Sequence, residues 1–368
     1  MDYSNDKRVV MTLDAGGTNF IFSAIQGNKE ILEPVRLPSG ANNLEICLKT
    51  LEEGFNSVKE RLIQEPIAIS FAFPGPADYV NGVIGDLPNL PAFRGGVALK
   101  AFLEKKFGIP VFINNDGNLF AYGEALSGML PALNKALEAS GNPHRYQNLI
   151  GITLGTGFGA GVVLNGELLL GDNGCGGDVW VFRDKYYPEM IAEESVSIHA
   201  VKRMYAEFSG ENRSELTPKD ICDIADGRVA GDQAAARKTF VHFGKGLGNA
   251  LCYALTLIDG VVVIGGGLAG AHKYFFPAML EEMNGQIGRF EGGNVPRLQM
   301  DVYDMTNPEQ MAELLKPEMM VAHVPETKEE VPYQEHKKTG VDISTVDTSF
   351  VINLGAYNFA LNELDKIK

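Results

Sequence analysis

The sequence predicts an α/β fold made of two similar domains, and three observations support this prediction. At 368 residues, the chain is longer than one hydrophobic core usually serves. Strand-like runs alternate with segments of helical spacing, which is typical of α/β layering. One pattern of strand, glycine-rich loop, strand, turn and strand occurs twice, and a repeated unit of this kind indicates duplicated domains.

The first copy of the pattern lies near the start of the sequence. Residues 9–13 and 20–25 are rich in β-branched and aromatic side chains, and the glycine-rich residues 14–19 separate them. The dipeptide Gly27-Asn28 then predicts a tight turn, and residues 31–37 predict a third strand. This segment is therefore expected to open the first domain as a small antiparallel unit.

The second copy repeats the same order much later in the chain. A predicted strand at residues 149–154 leads into the glycine-rich residues 155–161, and residues 162–164 continue as a second strand. Asn165-Gly166 is a strong signal for a type I′ hairpin turn before the strand at residues 168–170. Each predicted domain thus opens with a glycine-rich loop, and the two loops could face a shared cleft.

Further helices and strands alternate between and after the two copies. They are predicted at residues 44–62 (helix), 67–73 (strand), 99–107 (helix), 111–113 (strand), 232–258 (helix), 260–264 (strand) and 350–364 (helix). By contrast, residues 293–345 are polar, contain prolines and lack clear periodicity. We expect them to form an elaborated surface region.

Composition and charge restrict the classes of partner. The chain has 47 acidic and 32 basic residues, a formal charge of −15, which disfavours nucleic acid and anionic membranes as partners. No apolar run reaches signal-peptide or membrane-span length, so a cytoplasmic protein is expected. The four cysteines are far apart and predict neither a disulfide framework nor a cysteine zinc site.

The two glycine-rich loops are candidates for binding phosphate, because glycine lets backbone N–H groups approach phosphate oxygens closely. Neither loop continues into the Gly-Lys-Ser/Thr of a Walker A motif. Asp14 stands at the predicted strand end, where a carboxylate can hold Mg²⁺ through water; the alternative is a carboxylate that caps the turn. The candidate phosphate-binding residues are Asp14, Gly16, Gly17, Thr18, Asn19, Gly155, Thr156 and Gly157.

A third candidate motif is Asn-Asn-Asp-Gly-Asn at residues 114–118, which follows a predicted strand and precedes a predicted helix. Ligands of α/β proteins gather at the carboxyl ends of parallel strands, which favours a functional role for Asp116. A cluster that merely caps the helix is the alternative, because Asn and Asp are also preferred at helix N-termini.

Six motifs occur in an order that resembles the ROK family of bacterial sugar kinases and repressors. They are DAGGTN at residues 14–19, AFPGP at 72–76, PNLP at 88–91, NNDGN at 114–118, LGTGFGAG at 154–161 and VVVIGGG at 261–267. The resemblance implies the two-domain actin-like ATPase (ribonuclease H-like) fold, with an internal duplication and a cleft between the domains. It divides the chain into residues 1–115, completed by a helix at 355–368, and residues 116–354.

The resemblance also implies a function. In proteins that look like this, the γ-phosphoryl group of ATP passes to a hydroxyl of a hexose or hexose derivative, with Mg²⁺ bound alongside ATP. Asp116, in the matching motif, would accept the hydroxyl proton as general base. Asn115 and Asn89 would bind sugar hydroxyls, and Gly265, Gly266 and Gly267 would line the adenosine side.

This chain departs from the family pattern at the segment that usually carries a zinc cluster. Asp178 falls where the family has a sugar-binding Glu, and Val181 falls where it has a zinc-linked His. The next sugar-binding carboxylate corresponds to Glu193, with its neighbour Glu194 as the alternative. No structural zinc is expected, and because Asp is shorter than Glu and Val cannot donate, plain glucose is predicted to be a poor substrate.

Two other functions remain as alternatives. A sugar-responsive repressor would carry a helix-turn-helix domain before the first strand, whereas the first predicted strand begins here at residue 9. A catalytically weak sugar-binding or regulatory protein would fit the changes at Asp178 and Val181, but the retained Asp14 and Asp116 argue against it. The expected partners are therefore a sugar and a nucleotide, not nucleic acid or a membrane, and the resemblance allows a homodimer.

Overall fold

The chain forms two units, each with its own hydrophobic core, in a computed structural model that describes residues 2–75, 77–85, 91–211 and 213–367. Unit 1 comprises Met1–Met129, Gly161–Gly177 and Thr345–Lys368, and unit 2 comprises Leu130–Ala160 and Asp178–Ser344. Relative to the division expected from sequence, unit 1 also includes residues 116–129, 161–177 and 345–354.

Strands and helices alternate along most of the chain, as predicted. The strands are β1 (Val10–Ala15), β2 (Asn19–Gln26), β3 (Lys29–Glu30), β4 (Val35–Pro38), β5 (Ala68–Ala72), β6 (Ala77–Asp78), β7 (Val83–Ile84), β8 (Val97–Ala98), β9 (Val111–Asn114), β10 (Leu149–Leu154), β11 (Phe158–Leu164), β12 (Glu167–Leu168), β13 (Val261–Gly265), β14 (Gln286–Gly288), β15 (Asn294–Pro296), β16 (Asp301–Asp304), β17 (Met320–His323), β18 (Glu330–Tyr333) and β19 (Lys338–Ile343). The α-helices are α1 (Leu44–Lys59), α2 (Leu99–Phe107), α3 (Asp116–Ser127), α4 (Met129–Ala139), α5 (Ile198–Ser209), α6 (Pro218–Ala225), α7 (Gln233–Ile258), α8 (His272–Met283), α9 (Pro308–Leu315) and α10 (Thr348–Lys366).

The main sheet of unit 1 has the strand order β3-β2-β1-β5-β9, and β4 also pairs with β2. The pairs β1–β5 and β5–β9 are parallel, so their carboxyl ends lie at one edge of the sheet. The single strand predicted at residues 31–37 is wrong, because β3 and β4 pair with β2 separately. Pro34 lies in the interruption, where its lack of an N–H and fixed φ disfavour continuous pairing.

The predicted hairpin turns are confirmed by backbone geometry. Gly27 and Asn28 have φ of 56° and 61°, and Asn165 and Gly166 have φ of 53° and 81°. Positive φ at both central residues is the signature of a type I′ turn.

Helices α3 and α10 of unit 1 pack unusually closely. A Cβ at Gly355 of α10 would overlap the carbonyl oxygen of Leu119 in α3, and a Cβ at Gly123 would overlap the carbonyl oxygen of Val351. Only glycine permits this approach of two backbones. The position of α3 therefore depends on a helix more than 200 residues away in sequence.

Four parallel strands of unit 2 lie in the order β10-β13-β19-β16. Helix α7 packs against the core of unit 2, and most of its residues are buried. Its glycines allow close packing against neighbouring elements, as their helical spacing indicated. A Cβ at Gly248 would lie 2.6 Å from the carbonyl oxygen of Met279 in α8, and one at Gly244 would overlap that of Phe275.

The expectation of a surface region at residues 293–345 holds for only part of it. Strand β19 lies in the sheet between β13 and β16, with Val341 fully buried. The polar residues of its sequence, KTGVDI, do not suggest a buried strand. Lys338 is accommodated there because its ammonium group pairs with Glu313 and Glu318 at 3.4 and 3.2 Å. Both strands of the β17–β18 hairpin are exposed at every residue, in line with the expectation.

Within the described part of the chain, no helix is long and apolar enough to cross a bilayer.

Candidate functional site

Three adjacent parallel strands of unit 1 bring two of the predicted motifs to one edge of the sheet. Asp14, near the end of β1, is in register with Ala72 of β5, and Ala72 is in register with Asn114 of β9. Asp14 and the motif at residues 114–118 therefore lie at the same carboxyl-terminal edge, where α/β sheets bind ligands.

The first glycine-rich loop follows Asp14 and is anchored by Ser39, which the sequence did not single out. The hydroxyl of Ser39 donates to the carbonyl of Gly17 at 2.6 Å, and its N–H donates to that of Thr18 at 2.9 Å. A Cβ at Gly17 would meet nothing within 4 Å, so this part of the loop faces open space. Ser39 follows β4 directly, and only the pairing of Asn19 with Pro38 places it beside the loop.

Asn115 and Asp116 occupy the N-terminus of α3 in different roles. Asn115 is the N-cap, and its side-chain oxygen accepts from the N–H of Asn118 at 2.6 Å. The capping alternative is therefore correct for Asn115. Asp116 is the first helical residue, and its side chain is exposed to solvent while accepting from the N–H of Gly117 at 2.9 Å.

Limited hydration raises the pKa of Asp116 above its ordinary value, and hydrogen bonds from the backbone N–H groups of Gly117 and of Asp116 itself lower it by less. Solvent still reaches the carboxylate, as its exposure shows. Water touches the group, but the surrounding protein hydrates its charge less well than bulk water would. The arrangement gives an accessible carboxylate that is a stronger base than an ordinary Asp.

Buried neighbours fix the first turn of α3. The side-chain oxygen of Asn114 accepts from the N–H of Asn115 and from the side-chain amide of Asn118, each at 2.9 Å. Gly161 of β11 packs against the same turn, since a Cβ there would lie 2.7 Å from Cα of Asn118 and overlap the carbonyl of Gly117. The last glycine of the second motif thus supports the helix that carries Asp116.

Residues 155–157 of the second glycine-rich loop lie beside the glycines at the end of β13, within unit 2. Gly265 is in register with Thr153, and Gly266 has φ of 90°. A Cβ at Gly266 would lie 2.7 Å from the backbone nitrogen of Leu154, so no other residue fits there without movement. The predicted phosphate-binding residues 155–157 and adenosine-side residues 265–267 are therefore neighbours.

Asp178 and Glu193 begin and end a segment, residues 178–193, that we call the strap. Asp178 is exposed and precedes a short 3₁₀ helix, Val179–Val181, in which Val179 is buried while Trp180 and Val181 are exposed. Glu193 is half-buried in a second 3₁₀ helix, and its Oε2 accepts from the N–H of Phe158 at 2.8 Å. Its neighbour Glu194, the alternative in the sequence, is exposed.

The strap is held by contacts that sequence reasoning missed. Buried Asp184 accepts from the N–H groups of Tyr186 and Tyr187 at 2.7 and 2.9 Å. The ring of Tyr186 stacks on His242 of α7 at a centroid distance of 3.4 Å, and Lys185 pairs with Glu282 of α8 at 2.8 Å. These partners lie 56 and 97 residues away in sequence, so no local pattern points to them.

The predicted sugar-binding residue Asn89 lies outside the described residues. Among the described residues, no group of three or more His, Cys, Asp or Glu side chains could hold a metal ion. Asp14, Asn115 and Asp116 belong to unit 1, whereas residues 155–157, residues 265–267, Asp178 and Glu193 belong to unit 2.

Comparisons with known proteins agree with the sequence motifs. The profile of the ROK family matches residues 10–180. The crystal structure of a glucokinase from Parabacteroides distasonis is 56% identical, with a TM-score of 0.89 over 98% of this chain and 99% of that one. An N-acetyl-D-glucosamine kinase from Vibrio parahaemolyticus is 28% identical over 75% of this chain and 88% of its own length. A ROK hexokinase from Thermus thermophilus, 21% identical with a TM-score of 0.68 over 97% of this chain and 99% of that one, shares the fold.

Proposed function

This chain belongs to the ROK family, with the actin-like ATPase fold of its kinases, and from that premise we propose that it is an ATP-dependent sugar kinase. The reaction transfers the γ-phosphoryl group of ATP to a hydroxyl of a hexose or hexose derivative. The observation that carries this proposal is the accessible carboxylate of Asp116, fixed at the start of α3 at the same carboxyl-terminal sheet edge as Asp14. Relatives named as glucokinase and N-acetyl-D-glucosamine kinase support it.

Asp116 is the proposed general base. Phosphoryl transfer depends chiefly on positioning and on neutralising phosphate charge, so the base has only to stand within reach of the hydroxyl proton. The capped first turn of α3 provides a fixed position, and the raised pKa makes the carboxylate better able to hold the proton that it receives.

ATP is the proposed phosphate donor, and the two glycine-rich loops are the proposed phosphate ligands. The proposed ligands are Gly16, Gly17, Thr18 and Asn19 of the first loop and Gly155, Thr156 and Gly157 of the second. Residues 265–267 line the adenosine side. Asp14 offers the oxygen donor that Mg²⁺ prefers and would hold the ion through water, where it would neutralise phosphate charge.

The proposed sugar ligands are Asn115, Asp116, Asp178, Glu193 and Asn89. The cap of α3 uses the side-chain oxygen of Asn115, which leaves the amide N–H₂ as the group to donate to a sugar hydroxyl. The half-buried Glu193 and the exposed Asp178 supply acceptors from the two ends of the strap.

The choice of sugar requires a revision of the expectation from sequence. Glucose was expected to be a poor substrate on the assumption that Asp178 and Val181 replace family residues on an unchanged backbone. The strap has its own framework of hydrogen bonds, and a glucokinase is 56% identical over nearly the whole chain. We therefore propose glucose as the first substrate to test, with N-acetylglucosamine second.

A catalytically weak sugar-binding protein remains the second candidate, and the names of the relatives do not favour it. A cytoplasmic location and the absence of nucleic-acid or membrane partners remain proposals that rest on the charge and composition. A homodimer remains a proposal from the family resemblance.

The test is a coupled assay of ADP release against a panel of hexoses and N-acetylhexosamines with Mg²⁺ and ATP. We expect sugar-dependent ADP release from the parent protein and its loss in Asp116→Asn. Sugar binding by calorimetry without ADP release from any sugar would instead support the binding-protein alternative.

A further inference from the structure

We infer that Glu193 is a positioning residue for the second glycine-rich loop, in addition to any contact with the sugar. This inference rests on the proposed function, because it assigns Glu193 a part in binding ATP. The carboxylate lies against the loop: its Oε2 accepts from the N–H of Phe158 at 2.8 Å.

The loop leaves no spare room around this carboxylate. A Cβ at Gly157 would lie 2.7 Å from Oε2 of Glu193, closer than real Cβ contacts allow. A larger residue at position 157 would therefore displace the carboxylate from the N–H of Phe158. The hydrogen bond from Phe158 to Glu193 therefore depends on the absence of a side chain at position 157.

The chain around Glu193 is itself firmly held. Buried Ala192 donates its N–H to the carbonyl of Phe182 at 2.7 Å, and the carbonyl of Glu193 accepts from Val196 at 3.2 Å. The first residue of α5, Ile198, donates its N–H to the carbonyl of Gly155 at 2.9 Å. The strap and the start of α5 thus hold the chain on either side of residues 156–157, at Phe158 and Gly155 respectively.

This arrangement connects the proposed sugar-binding and phosphate-binding parts of unit 2 through one side chain. A hydrogen bond from a backbone N–H to a carboxylate is stronger than a neutral one, so its loss should loosen the loop. The contact needs only an acceptor oxygen, which the amide of glutamine also provides. Glutamine also removes a negative charge beside the proposed phosphate site.

The test compares Glu193→Ala and Glu193→Gln with Glu194→Ala as the matched control, in the full chain. We expect Glu193→Ala to raise the KM for ATP and the calorimetric Kd for an ATP analogue by roughly tenfold, as for the loss of a charged hydrogen bond. Glu193→Gln should change both constants by less than about threefold. The exposed Glu194 should have no effect on either. Circular dichroism and thermal melting check that each variant is folded.

A double-mutant cycle with Gly157→Ala provides a second test, and its first arm, Gly157→Ala alone, does not depend on Glu193→Ala being well folded. Gly157→Ala alone should weaken nucleotide binding, and it should do so less in the Glu193→Ala background, where the space is vacated. Unchanged nucleotide constants in Glu193→Ala, with a raised KM for sugar only, would overturn the inference. A parent protein without sugar-dependent ADP release would instead refute the proposed function.

Discussion

Asp116 combines solvent exposure with a raised pKa, and each property comes from a different part of its surroundings. The first turn of α3 holds the backbone, with Asn115 as cap and Asn114 and Gly161 packed behind it. The side chain is left to face outward, where neighbouring protein limits its hydration without burying it. A base built in this way is fixed in position without being sequestered from substrate.

Replacing Asp116 by Asn should lower kcat by about a hundredfold or more, as for the loss of a positioned base. The fold should persist, because the amide keeps the shape of the side chain. Since the folded state binds the Asp116 proton more tightly than the unfolded state, the ionised carboxylate costs stability at neutral pH. The variant should therefore melt at the same temperature as the parent or higher, as measured by calorimetry. Turnover at the parent rate would mean that Asp116 serves the helix alone.

The raised pKa of Asp116 also predicts the pH dependence of the reaction. The base must be ionised to accept a proton, so kcat/KM should fall as pH drops through the pKa of the free enzyme. Because that pKa is raised, the acid limb should lie above the value of about 4 that an ordinary Asp would give. A pH–rate profile measured with saturating Mg²⁺ checks this, and an acid limb at the ordinary value would contradict it.

At the scale of elements, the close crossing of α3 and α10 determines where Asp116 stands. Gly355 and Gly123 bring the two helix backbones together, so a side chain at either position would push α3 away from its neighbour. Gly355→Ala should lower the free energy of unfolding by about 1–3 kcal/mol or more, because about 1–3 kcal/mol is the usual cost of overpacking.

The same variant should lower kcat while changing KM little. The displaced helix carries the base and not the glycine-rich loops. Ser349→Ala, at an exposed position of α10, is the matched control and should be close to neutral. Denaturant unfolding and steady-state kinetics measure the two effects. Equal stability of Gly355→Ala and the parent would show that the helices can separate without cost.

The elements that sequence predicted best are those whose signal is local. The hairpin turns, α2 and the strand at β10 follow from turn residues and periodicity alone, and the candidate residues Asp14 and Asp116 follow from short motifs. The positions of the other elements depend on which strands pair with each other. Strand β19 was missed because its buried face depends on β13 and β16, and Ser39 was missed because only the register of β2 and β4 brings it to the loop.

The strap illustrates the same limit for the site. Its two ends, Asp178 and Glu193, were found by resemblance to a family motif, whereas its anchors were not. Asp184 and His242 look unremarkable in sequence, since their contacts join segments that only the fold brings together. The role of Glu193 against the glycine loop likewise became visible only once the N–H of Phe158 was located.

At the scale of the whole molecule, metal dependence should follow from the distribution of its cysteines. Cys47 and Cys252 are buried, Cys175 is exposed and Cys222 is half-buried, and no metal-binding group forms within the described residues. Activity should therefore survive a zinc-selective chelator in excess Mg²⁺, whereas EDTA should abolish it until Mg²⁺ is restored. Coupled assays before and after chelation measure this, and loss of activity that only zinc restores would contradict it.

The division of unit 1 into three chain segments has a consequence for how the protein is made. A nascent chain that has emerged as far as residue 344 contains every segment of unit 2 but lacks α10, which packs on α3 and the sheet of unit 1. Until α10 is synthesised, the apolar surface that it covers has no partner from its own unit, and such surface favours aggregation and chaperone binding. The helix that sets the position of the base is thus synthesised after every segment of unit 2, so acquisition of activity should lag behind the folding of unit 2.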